Sequence, residues 1–273
     1  MQIDTLPNLR DVGGHSTTDG RTVRTGVVFR SVDLGRLDAT GIAQVSELGV
    51  RTVYDLRTAA ERDARPDRLP SGIEEVTLDV FADAEHQAPA QLQQLLSDPE
   101  AARAFAEQGG IETQFTSAYR DLVRLPSARR SYAALFRGLT TAPQRPALFH
   151  CTTGKDRTGW AAAALLTFLG VEASIVLDDY LRTNTDLIPA LRPLFDRFEA
   201  AGGDPRLLDP VLGVRTEYLD TAFSAVDEDY GSIEGYFTDG LGLDERTLEQ
   251  LREALLTDPD TDAGPGSATS AEA

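Results

Sequence analysis

The chain has 273 residues, 41% hydrophobic and 26% charged, enough for a packed core without staples. Its single cysteine excludes an internal disulfide, and with only His15, His86 and His150 beside it no structural zinc site, and no metal, is expected. Twenty-six basic against 44 acidic residues leave a net charge of −18, which repels polyanions and argues against nucleic acid or an anionic membrane as the main partner.

Residues 1–14 carry neither a basic n-region nor an apolar h-region, so no signal peptide is expected. The apolar run 160–169 is about half of what a bilayer crossing needs, so stable membrane insertion is not expected either. The expected compartment is the cytoplasm, with secretion without a cleaved signal as the alternative.

Taken in chain order, Val27, Val28 and Phe29 read as a strand after the turn-prone Thr25-Gly26. Asp38 can cap a helix running through Ile42, Val45 and Leu48, which Gly49 stops. Residues 51–56 read as a buried strand, and 75–80 alternate as a half-buried one. The stretch 81–110, rich in Ala, Gln and Asp and holding Pro89 and Pro99, reads as an insertion. Apolar residues recur at helical spacing over 115–125 and 132–139, and Ala147 to His150 is a short buried strand after Pro146. Beyond residue 156 the pattern is helical throughout. Leu187, Leu191, Leu194, Phe195 and Phe198 fall on one stripe, and Leu212, Leu219, Phe223 and Val226 suggest another. Strands alternating with helices define an α/β class with a mostly parallel central sheet flanked by helices. Residues 1–256 read as one domain. Residues 257–273 hold no bulky apolar side chain and read as a disordered tail.

The chemistry concentrates in one segment, where strand 147–150 runs into Cys151-Thr152-Thr153-Gly154-Lys155-Asp156-Arg157-Thr158-Gly159 and then into a helix. A strand, a tight loop and a helix N-terminus place free N–H groups and the positive end of the helix dipole around one anion. Five residues separate Cys151 from Arg157, enough to circle a phosphate, and the planar fork of Arg157 suits two of its oxygens. The same amides and cations favour a thiolate on Cys151, a nucleophile beside a phosphate site. Thr152, Thr153, Gly154, Lys155 and Thr158 are the expected substrate-binding residues, with Thr158 placed to hydrogen-bond the sulfur as it leaves. His150 reads as an orienting residue. Lys155 is the only lysine in a chain whose other basic residues are arginine, which suggests that a compact ammonium is needed there. A nucleotide-binding P-loop does not fit, because Asp156 stands where Ser or Thr is required after the lysine.

His150 to Gly159 resembles the His-Cys-x5-Arg-Ser/Thr loop of the cysteine-based protein tyrosine phosphatases. More narrowly it is similar to their atypical bacterial group of tyrosine and phosphoinositide phosphatases. Residues 8–14, Phe29 to Ser31, Leu48-Gly49, Val53 to Arg57 and Glu61 resemble that group's N-terminal half. Residues 179–182 and 211–219 with Tyr230-Gly231 resemble its helical half. The resemblance implies that fold, a helical lid-like C-terminal half, and a phosphatase that needs no cofactor. Its substrates would be phosphorylated proteins, phosphotyrosine first with phosphoserine or phosphothreonine possible, or phosphoinositides. Cys151 would form a phosphocysteine, Arg157 would hold the phosphoryl oxygens, and Lys155 would add charge for multiply phosphorylated substrates. Asp156 matches the group and is similar to the loop acid of the myotubularins, which makes it the first candidate for general acid. Asp79 and Asp83, at a strand end where many tyrosine phosphatases place a mobile acid, stand level behind it. Arg10, Asp11, Asp55 and Arg57 read as ion pairs that position the loop. The alternative reading is a phosphate or phosphoinositide-binding module without turnover, which would have no use for Cys151 or an acid.

Overall fold

The computed structural model describes residues 3–84 and 98–257. The expected tail beyond Thr257 and His86 lie outside the described residues, as does the middle of the stretch read as an insertion. The strands are β1 (Arg10–Asp11), β2 (Val28–Ser31), β3 (Thr52–Asp55), β4 (Glu74–Thr77) and β5 (Ala147–His150). They form one five-stranded sheet in the order β1-β2-β5-β3-β4. β2, β5, β3 and β4 run parallel, and the two-residue β1 pairs antiparallel with β2 at the edge. The parallel sheet was legible from sequence, whereas β1 was not, since two residues carry no period.

β5 is the central strand, and alternation along it divides the core. Ala147 and Phe149 face one side with Val28 and Tyr54, while Leu148 faces the other with Phe29 and Val53. Against the second face packs α1 (Ala39–Glu47), where the Asp38 side chain accepts from the Gly41 amide at 2.7 Å as the capping expectation required. The short α2 (Ala59–Ala64) follows β3 behind a capping box formed by Thr58 and Glu61.

Residues 98–110 depart from the insertion reading. Asp98 caps α3 (Pro99–Glu107), with Pro99 in its first turn, and Ala102 is buried. Then come α4 (Gly110–Arg124), α5 (Pro126–Thr140) and α6 (Arg157–Phe168). α4 and α5 give the first face of the sheet Tyr119, Leu122, Tyr132, Leu135 and Phe136. α6 is buried almost all round. Its run Ala161 to Ala164 keeps neighbouring elements close, and Trp160 packs edge-on to Phe223 at 5.3 Å.

The C-terminal half is helical, as expected: α7 (Ala173–Ala200), α8 (Thr216–Tyr230) and α9 (Glu245–Leu255). The stripe read on α7 splits between two clusters. Leu187 joins the core beneath the second sheet face, whereas Phe195 and Phe198 form a separate cluster with Ala102, Ile111, Leu208, Val211 and Leu212. Pro189 and Pro193 lie between them, and each removes a helix N–H donor. After α9 the chain returns to the N-terminal region, where the Thr257 amide donates to the Thr22 carbonyl. No described helix is long and apolar enough to cross a membrane.

Candidate active site

Register places Ser31, His150, Asp55 and Thr77 side by side at the carboxyl ends of the parallel strands, the edge where open α/β sheets bind ligands. The loop after β5 rises from this edge. Cys151, at its base, is 1% exposed. Gly154 has φ +64°, and a Cβ there would collide with the Ser31 carbonyl, so geometry and space both demand glycine. The loop's outward carbonyls are held from behind. Asn8 Nδ2 donates to Gly154 O at 3.0 Å, Arg30 Nη2 donates to the same oxygen at 2.9 Å, and the Asp33 amide donates to Thr152 O. Among the described residues, the N–H groups of residues 152–156 have no hydrogen-bond acceptor. The Asp156 side chain does not cap α6, so that helix's first-turn donors are also left for an incoming anion.

Two buried networks carry this frame. Asp179 pairs with Arg10 at 2.8 Å and Arg30 at 3.0 Å, and Arg10 also bonds Asn8. Burial brings Arg30 down to about 10, with Arg10 pushing the same way and Asp179 opposing. Asp55, Arg57, Asp67 and His150 form the second. Arg57 Nη2 lies 2.6 Å from Asp55 and 2.8 Å from Asp67, and His150 Nε2 lies 3.0 Å from Asp67, while its Nδ1 is 3.2 Å from the Cys151 carbonyl. Burial works against the His150 cation, but Asp67 and Asp55 outweigh it and raise its pKa. Asp55, Asp67 and His150 are spaced so that they could ligate a metal, but the Arg57 guanidinium already bridges the two carboxylates. Arg10, Asp55 and Arg57 are thus ion-paired as expected. Asp11 instead accepts from the Gly13 and Gly26 amides and fixes a turn.

Arg157 is held by a residue that the motif did not single out for the site. Glu61 accepts from both its terminal nitrogens, at 2.7 Å each, and from Thr152 Oγ1 at 2.5 Å, while closing the capping box of α2. Burial would raise the Glu61 carboxyl, yet the Arg157 bonds and charge hold it far below the usual carboxylate range. Burial likewise opposes the Arg157 cation, and Glu61 together with the Cys151 sulfur more than restores it, so guanidinium and sulfur lie within electrostatic reach. Thr158 Oγ1 is buried with no hydrogen-bond partner among the described residues. The signal for Glu61 was present as Thr58-x-x-Glu61, but that pattern marks a helix start and says nothing about which arginine the carboxylate meets.

Lys155 is 3% exposed and fully engaged. Its ammonium donates to Asp156 Oδ1 at 2.9 Å and Gly213 O at 3.2 Å, and sits over the Phe115 ring at 4.6 Å. A compact cation suits that niche, and Gly213 brings the C-terminal half directly onto the loop. Asp156 Oδ1 also accepts from Tyr119 at 2.9 Å. Asp79 instead accepts from the Ala59 and Phe81 amides at 3.2 and 3.1 Å, and the exposed Asp83 pairs with Arg130 at 3.1 Å. Of the three aspartates, the fold places Asp156 within the loop.

A parallel sheet thus ends in a loop whose amides are unengaged among the described residues, with a buried cysteine at its base and an arginine clamped by Glu61 at its end. The chain belongs to the tyrosine phosphatase family, whose model matches residues 1–257. It is 36% identical over 285 aligned positions to the triple specificity protein phosphatase PtpB of Mycobacterium tuberculosis, covering 94% of this chain and 100% of that protein. It is 30% identical to a provisionally named tyrosine-protein phosphatase of Cupriavidus necator, covering 94% of this chain and 88% of that one. A tyrosine-protein phosphatase of Nostoc commune is 26% identical, with 83% and 73% covered.

Proposed function

We propose that the protein hydrolyses phosphomonoesters through a phosphocysteine on Cys151, with phosphotyrosine proteins as the main substrates. The observation that carries this is the run of unengaged amides at 152–156, facing an arginine that Glu61 fixes in place. Three non-bridging phosphoryl oxygens need donors on several sides, and the amides and the Arg157 fork supply them without reorganisation. The Cys151 thiolate gives its electron pair to phosphorus, the S–P bond forms, and the P–O bond electrons pass to the leaving oxygen. That oxygen takes a proton from Asp156, whose Oδ2 has no donor among the described residues. Water then attacks phosphorus and returns a proton to Asp156, while the sulfur departs as a thiolate that the unpartnered Thr158 hydroxyl can meet. Asp79 and Asp83 are the rival acids, but their carboxylates are occupied by a helix end and by Arg130.

PtpB is named for triple specificity. By analogy, phosphoserine, phosphothreonine and phosphoinositides belong to the proposal as further substrates. Lys155 favours them less directly than its sequence position suggests, because its charge is already shared with Asp156. The test is turnover of phosphopeptides, p-nitrophenyl phosphate and a phosphoinositide panel by wild type, Cys151→Ser and Asp156→Asn. Cys151→Ser is expected to bind substrate without turnover, and Asp156→Asn to be slowed. Wild type that binds but turns over none of these substrates would make the protein a phosphate-binding module instead.

A further inference from the structure

Two buried tyrosines stand behind the loop carboxylate with no part in holding the phosphate. Tyr119 on α4 is 0% exposed and Tyr180 on α7 is 1% exposed. The Tyr119 hydroxyl lies 2.9 Å from Asp156 Oδ1 and 2.6 Å from the Tyr180 hydroxyl. A carboxylate oxygen only accepts, so the single Tyr119 proton points at Asp156, and Tyr180 must then donate to Tyr119. Burial and the nearby Asp156 push both phenols well above their ordinary values, so both keep their protons throughout the working range. Four residues before Tyr119, on the same helix face, Phe115 carries the Lys155 ammonium, which donates to the same oxygen, Oδ1. One face of α4 therefore supports both Lys155 and Asp156.

We propose that Tyr119 is a positioning residue for the acid–base step, with Tyr180 orienting its proton. Together with Lys155 it saturates Oδ1, so that Oδ2 is the oxygen that carries the proton to the leaving group. The inference rests on Asp156 being the general acid. Without the Tyr119 bond, the carboxyl is free to turn about its terminal torsion, and the proton is presented at the leaving oxygen less of the time. Phosphate binding, set by the amides and Arg157, does not depend on that torsion.

The experiment is a series of aryl phosphates, from phenyl phosphate to 2,4-dinitrophenyl phosphate, turned over by wild type, Tyr119→Phe, Tyr180→Phe and Asp156→Asn. A leaving group that departs unaided does not need the proton, whereas phenol does. Tyr119→Phe is expected to lower kcat/KM for phenyl phosphate by about tenfold, the worth of one hydrogen bond, with little change for dinitrophenyl phosphate and in the affinity for inorganic phosphate. Equal losses across the series, as a merely structural role would give, or no loss at all, would overturn it. Should Tyr119→Phe not fold, Tyr180→Phe carries the test through a smaller loss of the same selectivity, and a uniform loss or none is then the refuting result. Asp156→Asn separates the two levels. If it shows no leaving-group dependence, the assignment of the acid fails. If it does and Tyr119→Phe does not, only the positioning role fails.

Discussion

Replacing Glu61 with glutamine keeps the volume of the side chain but removes the charge that fixes Arg157. In place of two acceptor oxygens at 2.7 Å, the guanidinium would meet one oxygen and one NH2 group that repels it. The pair is largely desolvated, with the Glu61 and Arg157 side chains 14% and 10% exposed. Breaking a buried pair from one side costs about 3–5 kcal/mol, and the opening of the site toward substrate places this case near 3. Lost from the transition state, about 3 kcal/mol is about a hundredfold in kcat/KM. The same carboxylate supplies a pH signature. Its folded pKa lies far below the unfolded value of about 4.3, so it stabilises the fold above that pH and the contribution disappears as pH falls toward the folded value. Glu61→Gln should therefore be less stable than wild type at neutral pH, and the gap should narrow on acidification below about pH 4. Steady-state kinetics and urea unfolding across pH read both effects, with Asp196→Asn, which removes an exposed pair with Arg192, as a control expected to change neither. A kcat/KM for Glu61→Gln within a few-fold of wild type would refute the claim that Glu61 sets the catalytic arginine.

Other outcomes follow from the same geometry. Gly154→Ala should lose phosphate affinity and turnover together, because neither the positive φ nor the Ser31 carbonyl admits a Cβ; isothermal titration with inorganic phosphate and a turnover assay check it. The His150 cation is favoured by the fold, so its contribution to stability is complete below about pH 6.5 and is lost as pH rises through the raised folded value. Asp67→Asn should flatten that alkaline decline in melting temperature, and an unchanged slope would mean that Asp67 does not hold the cation. EDTA should leave turnover intact, since the mechanism draws its positive charge from amides and Arg157, whereas inhibition reversed by added metal would point to different chemistry.

The segment from Ala147 to the start of α6 was legible because its elements are consecutive in sequence. A buried strand, a glycine-bearing turn and a helix start lie within a few residues, and local rules read each of them. What supports the loop was not legible in the same way. Glu61 reaches Arg157 across 96 positions, and Asp179 reaches Arg30 across 149. Those pairings arise only when α2, α6 and α7 pack around the carboxyl ends of the parallel strands. Asp67 carried no local mark either, although it joins Leu34, Arg57 and His150 in space. Tyr119 read simply as part of an amphipathic helix, which it is, and nothing in that period separates a ring that fills the core from a hydroxyl aimed at a carboxylate. Asp11, by contrast, misled because a charged residue beside Arg10 suggests an ion pair, while its short side chain found two turn amides nearer at hand.

The central claim is that the Cys151 sulfur takes the phosphoryl group before water does. Rapid denaturing quench during the first turnover, followed by mass spectrometry of the peptide that contains Cys151, tests it most directly. One phosphoryl group is expected on that sulfur, formed at a rate at least equal to steady-state turnover and absent from Cys151→Ser. A phosphoryl group on another side chain, or product formed with full turnover and no modified cysteine when product release is slow, would contradict it.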